Sequence, residues 1–201
     1  MEIGSGTGSF AEQFVQQYPH ARFMGLDISR TGVELSAHKV PTAEFHQVDL
    51  LNPSGDFEKG AFEATDAICS EVLEHLDEPE KLLRNSIPFM APGCRLIVTV
   101  PGGPVGAFHR HIGHRKHYTP AELRGVLERA GFVVEYTTGI GFPFFNLYNA
   151  MIVLRGRKAI QEVAGEPGLV IRCLSRIFNA LFHLNLMKFG WQIIGVARYR
   201  K

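Results

Sequence analysis

Two shortages narrow the field at once: the 201-residue chain has few cysteines and no long apolar run. Its three cysteines, Cys69, Cys94 and Cys173, stand far apart and form neither a disulfide framework nor a paired metal motif. That usage fits a reducing compartment, so the cytoplasm is the expected location. No apolar stretch reaches the roughly 18 residues of a membrane-spanning helix. The opening MEIGSGTGSF lacks a basic start and an apolar run, and is not expected to act as a secretory leader. Disorder is excluded from the other side: hydrophobic residues make up 45% of the chain and charged residues only 20%, enough apolar matter for one core.

Charge of one sign is also scarce in each half. Residues 1–100 carry 7 Lys+Arg against 15 Asp+Glu, a net of −8, while residues 101–201 carry 14 against 5, a net of +9, and contain no Asp. An anionic substrate or surface would meet the second half; a merely solubilising basic face explains the same bias.

What the chain does contain is alternation. Residues 21–27, 43–50, 65–70 and 94–100 read as strands, and residues 9–18, 30–39 and 78–90 as helices. Such alternation predicts an α/β fold with a doubly wound, mostly parallel sheet. Thr119-Pro120-Ala121-Glu122 reads as a capping box opening a further helix, which Gly131 closes. Strands are expected at 132–138 and 191–199. About 50 Phe-rich residues separate them, with six of the fifteen Phe between Gly141 and Gly190.

The glycine run Gly4-Ser5-Gly6-Thr7-Gly8 follows a strand remnant and opens a helix. Glycines let a ligand lie against the backbone of such a turn, and the helix start adds unpaired N–H groups. The spacing is GxGxG rather than the GxGxxG of dinucleotide sites. Asp27, 19 residues beyond Gly8, ends the next strand, where a carboxylate can accept from both ribose hydroxyls. Asp49 closes the following strand, and Ser70-Glu71 ends the fourth. Strand ends of such a sheet converge on one crevice.

Together these residues resemble class I S-adenosylmethionine-dependent methyltransferases of the small-molecule branch (type 11/12-like): EIGSGTG at 2–8, GLDIS at 25–29, VDL at 48–50, EVLEHLDEP at 71–79 and GCRLIVTVP at 93–101. The resemblance implies a Rossmann-like, seven-stranded mixed sheet with the last strand antiparallel. It divides the chain into a cofactor-binding core at 1–140, a helical insertion at 141–189 and a last core strand at 190–201. S-adenosyl-L-methionine is the implied cofactor. Its implied contacts are Glu2, Gly4, Ser5, Gly6, Asp27, Ile28, Asp49, Leu50, Ser70 and Glu71. His75, within EVLEH, recurs in the small-molecule branch; it is read first as a helix-start or packing histidine and second as catalytic. Only three residues precede the glycines, which the resemblance reads as a first strand lacking its N-terminal part; a cofactor-binding scaffold with little turnover is the alternative.

The reacting end is expected on the segment 101–118, which carries His109, His111, His114 and His117, four of the nine histidines. Histidine titrates near neutrality and suits a general base. The stretch from Gly113 to Thr119 is similar to a GHxRxYT pattern in methyltransferases of natural-product and envelope-sugar pathways. His114, with His111 second, is therefore the expected base. A metal on the four histidines was weighed and set aside, because the loop holds no carboxylate or cysteine and carries adjacent cations. Motifs for methylating adenine, cytosine or arsenite are missing, and no RNA-binding module fits. The expected acceptor is thus a small molecule or a lipid-linked metabolite, methylated on oxygen, with no nucleic-acid partner.

In the insertion, Arg172, Arg176, Asn179 and His183 recur at helical spacing as a narrow polar stripe on an apolar cylinder. A core or dimer helix is the first reading, and peripheral membrane contact or a lid over a greasy acceptor the second.

Overall fold

The computed structural model describes residues 1–53, 62–155, 178 and 180–200. Seven strands form one sheet: β1 (Glu2–Ile3), β2 (Met24–Asp27), β3 (Glu44–Gln47), β4 (Ala64–Ser70), β5 (Met90–Pro101), β6 (Phe132–Ile140) and β7 (Gln192–Tyr199). Their order across the sheet is β3-β2-β1-β4-β5-β7-β6. The pairs from β3 to β5 are parallel, whereas β7 runs antiparallel to both β5 and β6. This is the mixed, Rossmann-like sheet that the strand–helix alternation and the resemblance imply.

Six helices lie between the strands in the described residues: α1 (Ser9–Gln17), α2 (Arg30–Lys39), α3 (Pro79–Ser86), α4 (Ala107–His111), α5 (Pro120–Arg129) and α6 (Phe144–Arg155). The central strands are apolar because both faces are covered. Ile3, Leu26, Leu96 and Val98 are fully buried. The expected helix over 78–90 stops at Ser86 and continues as a tighter turn, Ile87–Phe89, since Pro88 offers no N–H to an α-helical ladder. β5 starts at Met90, earlier than expected. Pro92-Gly93 is absorbed in a register shift between Ala64/Met90 and Asp66/Arg95, a place where proline costs a sheet little.

The strand order reverses between β1 and β4, and the carboxyl ends of β1, β2 and β4 open into a crevice there. At the other side, β6 ends at Ile140 paired with Gln192 of β7. The segment between them therefore leaves and re-enters the sheet at neighbouring points. Its described part holds α6, the cis Phe142–Pro143 bond and a bridge from Phe142 to Leu186. Arg172, Arg176 and Asn179 of the expected stripe lie outside the described residues. No helix among the described residues is long and apolar enough to cross a membrane.

Candidate active site

The glycine turn is built by backbone geometry. Gly4 has φ +77°, and a Cβ there would come within 2.4 Å of the Val72 side chain. Gly6 has φ +53° with open space where a Cβ would stand. Both conformations favour glycine. The Gly4 and Ser5 N–H groups donate to Leu26 O, which fixes the turn against β2. Asp27 closes it from the far side: its Oδ2 accepts from Gly6 N at 2.7 Å and its Oδ1 from Ser29 N at 2.8 Å.

A cavity of about 300 Å³ lies against this turn, lined in part by Gly4, Asp27, Ile28, Asp49, Leu50 and Glu71. Asp49 Oδ1 accepts from the backbone of Leu51 and Asn52. Partial desolvation opposes its ionisation, but the hydrogen bonds from Asn52 and Leu51 outweigh it and hold the carboxyl below its ordinary range. Glu2 and Ser5 are buried beneath the turn, and Glu2 Oε2 and Ser5 Oγ have no hydrogen-bond partner among the described residues. Burial pushes the Glu2 carboxyl up to about 8. On the cavity wall itself, the close-approach glycine Gly4 and the carboxylates of Asp27 and Asp49 fit a ligand that brings hydroxyls and an amino group, as S-adenosyl-L-methionine does.

A second cavity, about 520 Å³, adjoins the first; Glu71 and His75 line both. Glu71 sits at φ +55°, uncommon for a side chain of its size. Its Oε1 accepts from Thr99 Oγ1 at 3.0 Å and Gln192 Nε2 at 2.7 Å. Ser70 Oγ pairs with Thr99 Oγ1 at 2.7 Å and faces this second cavity. Phe108, His109 and Ile112 supply one wall; Phe145, Tyr148, Asn149 and Ile152, one face of α6, supply another.

His114 is fixed on the wall by a relay. The Gly103 carbonyl can only accept, so His117 Nδ1, 3.1 Å away, is the donor. In neutral His117 the Nε2 then accepts from His114 Nδ1 at 3.1 Å. The lone pair of His114 is thereby left on Nε2, 4.0 Å from Glu74 Oε1. Burial, with His75, His117 and His109 adding to it, pushes His114 down to about 4, so the ring is neutral at pH 7. Glu74 sits in a tight turn, Leu73–His75, with its side chain fully buried. That turn is tied to the histidine segment by Arg115 N donating to Glu74 O and by Tyr118 OH donating to Leu73 O.

The structure brings Gly4, Asp27, Ile28, Asp49, Leu50 and Glu71 together on the first cavity, and Ser70 with His114 on the second. Glu2, Ser5 and Gly6 support the turn without lining that cavity. His111 is exposed at the end of α4 and lines neither cavity, whereas His109 is buried and does line the second. His75, in the short turn Leu73–His75, packs edge to face on His114 and lines both cavities where they join. Sequence reasoning missed Glu74, Gln192 and the α6 face. Only the i, i+3, i+4, i+7 spacing of Phe145, Tyr148, Asn149 and Ile152 carried a local signal for the last.

Sheet order, glycine turn and strand-end acids define a class I methyltransferase fold with a site for S-adenosyl-L-methionine. Residues 1–137 match the family described as a methyltransferase domain, and the chain belongs to that family. It is similar to the ubiquinone biosynthesis O-methyltransferase of Aeromonas salmonicida (strain A449), 26% identical over 172 residues, or 74% of this chain and 68% of that one. Among solved structures it resembles the [4+2]-cyclase SpnF, with a TM-score of 0.62, 21% identity and coverage of 99% and 74%. It also resembles phosphoethanolamine N-methyltransferase 2 of Haemonchus contortus in complex with S-adenosyl-L-methionine, with a TM-score of 0.61 and 15% identity. The chain is covered in full there but spans 48% of that enzyme. The protein is thus an S-adenosyl-L-methionine-dependent methyltransferase.

Proposed function

We propose that the enzyme methylates a hydroxyl oxygen of a small or lipid-linked acceptor held in the second cavity. The observation that carries this reading is the His114 lone pair, left on Nε2 by the Gly103–His117 relay in a ring that lines this cavity. The cofactor, when bound, supplies an electrophilic methyl group. An amine already presents a lone pair when neutral, but a hydroxyl gains nucleophilicity by losing its proton, and a neutral imidazole is built to take it. His117 keeps the accepting nitrogen in the right tautomer. Glu71, held by Thr99 and Gln192, walls the junction and keeps the two cavities in register, so alignment supplies most of the rate.

The wall supports this acceptor class. Phe108, Ile112, Phe145, Tyr148 and Ile152 favour an apolar body, and Asn149 and Gln192 offer polar contacts to its head. Among the described residues, eight of the fifteen exposed large hydrophobics, Leu154 and Phe189 among them, lie between residues 142 and 189. That concentration supports a lipid-linked acceptor reached by peripheral contact with a bilayer. His114→Ala tests the base: turnover of labelled S-adenosyl-L-methionine with a phenolic or polyprenyl-linked acceptor should fall at least about a hundredfold, with little change in cofactor affinity. Equal loss of both, or neither, removes the base from this reading.

A further inference from the structure

The mechanism above leaves Glu74 unused. Its side chain is 0% exposed, and neither carboxylate oxygen has a hydrogen-bond partner among the described residues. An isolated buried carboxylate is costly unless something cationic meets it. Among the described residues no lysine or arginine does: besides the like charge of Glu71, the groups that face it are His75 and His114, with Nε2 atoms 3.8 and 4.0 Å from Glu74 Oε1. The two rings stand edge to face, 4.9 Å apart. One ligand atom from each of the three residues lies within 4.8 Å of the others.

We propose that Glu74, His75 and His114 bind one divalent first-row transition-metal ion at the floor of the acceptor cavity. Two imidazoles and one carboxylate are the donor set such ions favour over magnesium or calcium. Ion–ligand contacts of about 2.0–2.2 Å bring neighbouring ligand atoms to about 3–3.5 Å, a modest closure from the observed separations. The second shell is already in place. His114 donates its other nitrogen to His117, which donates in turn to the Gly103 carbonyl, the arrangement that orients a metal-bound imidazole. All three residues line the acceptor cavity, so coordination positions are left for an acceptor oxygen. The histidines alone lacked a carboxylate in sequence; the fold delivers it from a turn some 40 residues earlier.

The ion's existence does not depend on the O-methylation reading; only its role does. There it takes over from free His114, because an acceptor hydroxyl bound to the ion is acidified and gives its proton to cavity water.

The test uses the full chain, stripped with chelator and titrated separately with Zn²⁺, Mn²⁺ and Co²⁺ by calorimetry, with Co²⁺ also followed by its visible absorption. One ion per chain is expected. Glu74→Gln and His75→Ala should each weaken it at least about tenfold. His20→Ala, an exposed histidine on the surface, should leave it unchanged. A stripped protein that binds S-adenosylhomocysteine but none of the three ions up to about millimolar overturns the proposal and leaves the methyltransferase reading standing. Equal ion affinity in wild type, Glu74→Gln and His75→Ala also overturns it. If Glu74→Gln lacks a cooperative thermal melt, His75→Ala decides, since that side chain is 38% exposed and bears little of the core.

Discussion

Asp27 spends one lone pair of each carboxylate oxygen on the backbone, at Gly6 and Ser29, and keeps the others for a ligand. On the reading that those lone pairs hold the ribose, Asp27→Ala removes two contacts to it and loosens the glycine turn together. Charge-assisted hydrogen bonds are worth about 1.5–3 kcal/mol each, so affinity for S-adenosylhomocysteine should drop at least about tenfold by calorimetry. An unchanged dissociation constant would place the ribose elsewhere. Glu74 makes a prediction about pH. Burial, with the nearby Glu71 charge adding to it, pushes its carboxyl from an ordinary 4.5 up to about 8. Between those values the native state keeps a proton that the unfolded chain releases. Its stabilising share is thus whole below pH 4.5 and is lost as pH climbs toward 8. In chelated buffer, Glu74→Gln should flatten that decline, and its urea midpoint should overtake that of the wild type toward the alkaline end. Parallel pH profiles would show that Glu74 ionises freely. His114, pushed down to about 4, has the opposite sign: its share is lost as pH falls from 6.5 toward 4.

Among the elements, α5 and α6 hold the acceptor side in place by different means. The α5 capping box is closed, with Thr119 N donating to Glu122 Oε2 and Glu122 N donating to Thr119 Oγ1. Thr119→Ala should cost about 1 kcal/mol in urea unfolding. No loss would mean that Pro120 alone starts the helix. α6 presents Phe145, Tyr148 and Ile152 to the cavity. Tyr148→Ala should raise KM for the acceptor and leave cofactor affinity untouched; a change confined to the cofactor would remove α6 from the acceptor site. The difference between these elements explains what the sequence disclosed. The box is a four-residue signal, and α2 spans residues 30–39 as its periodicity predicts. The glycine turn and strand-end acids are local in the same way. Glu74 was not legible, because nothing in EVLEH distinguishes a buried carboxylate from a solvated one. Its turn is held by hydrogen bonds to the backbone, from Tyr118 OH to Leu73 O and from Arg115 N to Glu74 O, some 40 positions along the chain. The α6 wall was obscured for the same reason, since it meets β7 and the histidine segment only in three dimensions.

Over the whole molecule, positive charge is concentrated in residues 101–201, and among the described residues most of the exposed large apolar side chains lie there too. Sedimentation with anionic vesicles should show weak binding that salt abolishes, and neutral vesicles should bind less, at about 1 kcal/mol per basic side chain near the surface. A protein that ignores anionic vesicles at low salt would confine the acceptor to water-soluble metabolites. The pairing of Ile140 with Gln192 has a consequence of another kind. The segment between β6 and β7 departs and returns through one rung of the ladder. Nothing in the sheet must stretch to receive a shorter or longer one, because closing a loop costs only logarithmically more as it grows. Descendants of such a gene can exchange the segment wholesale, like a tool bit in a fixed chuck, while the grip on the cofactor is inherited unaltered. Selection for a new acceptor then acts on one contiguous stretch of the gene, with the Gln192–Glu71 contact as the tether both halves must retain.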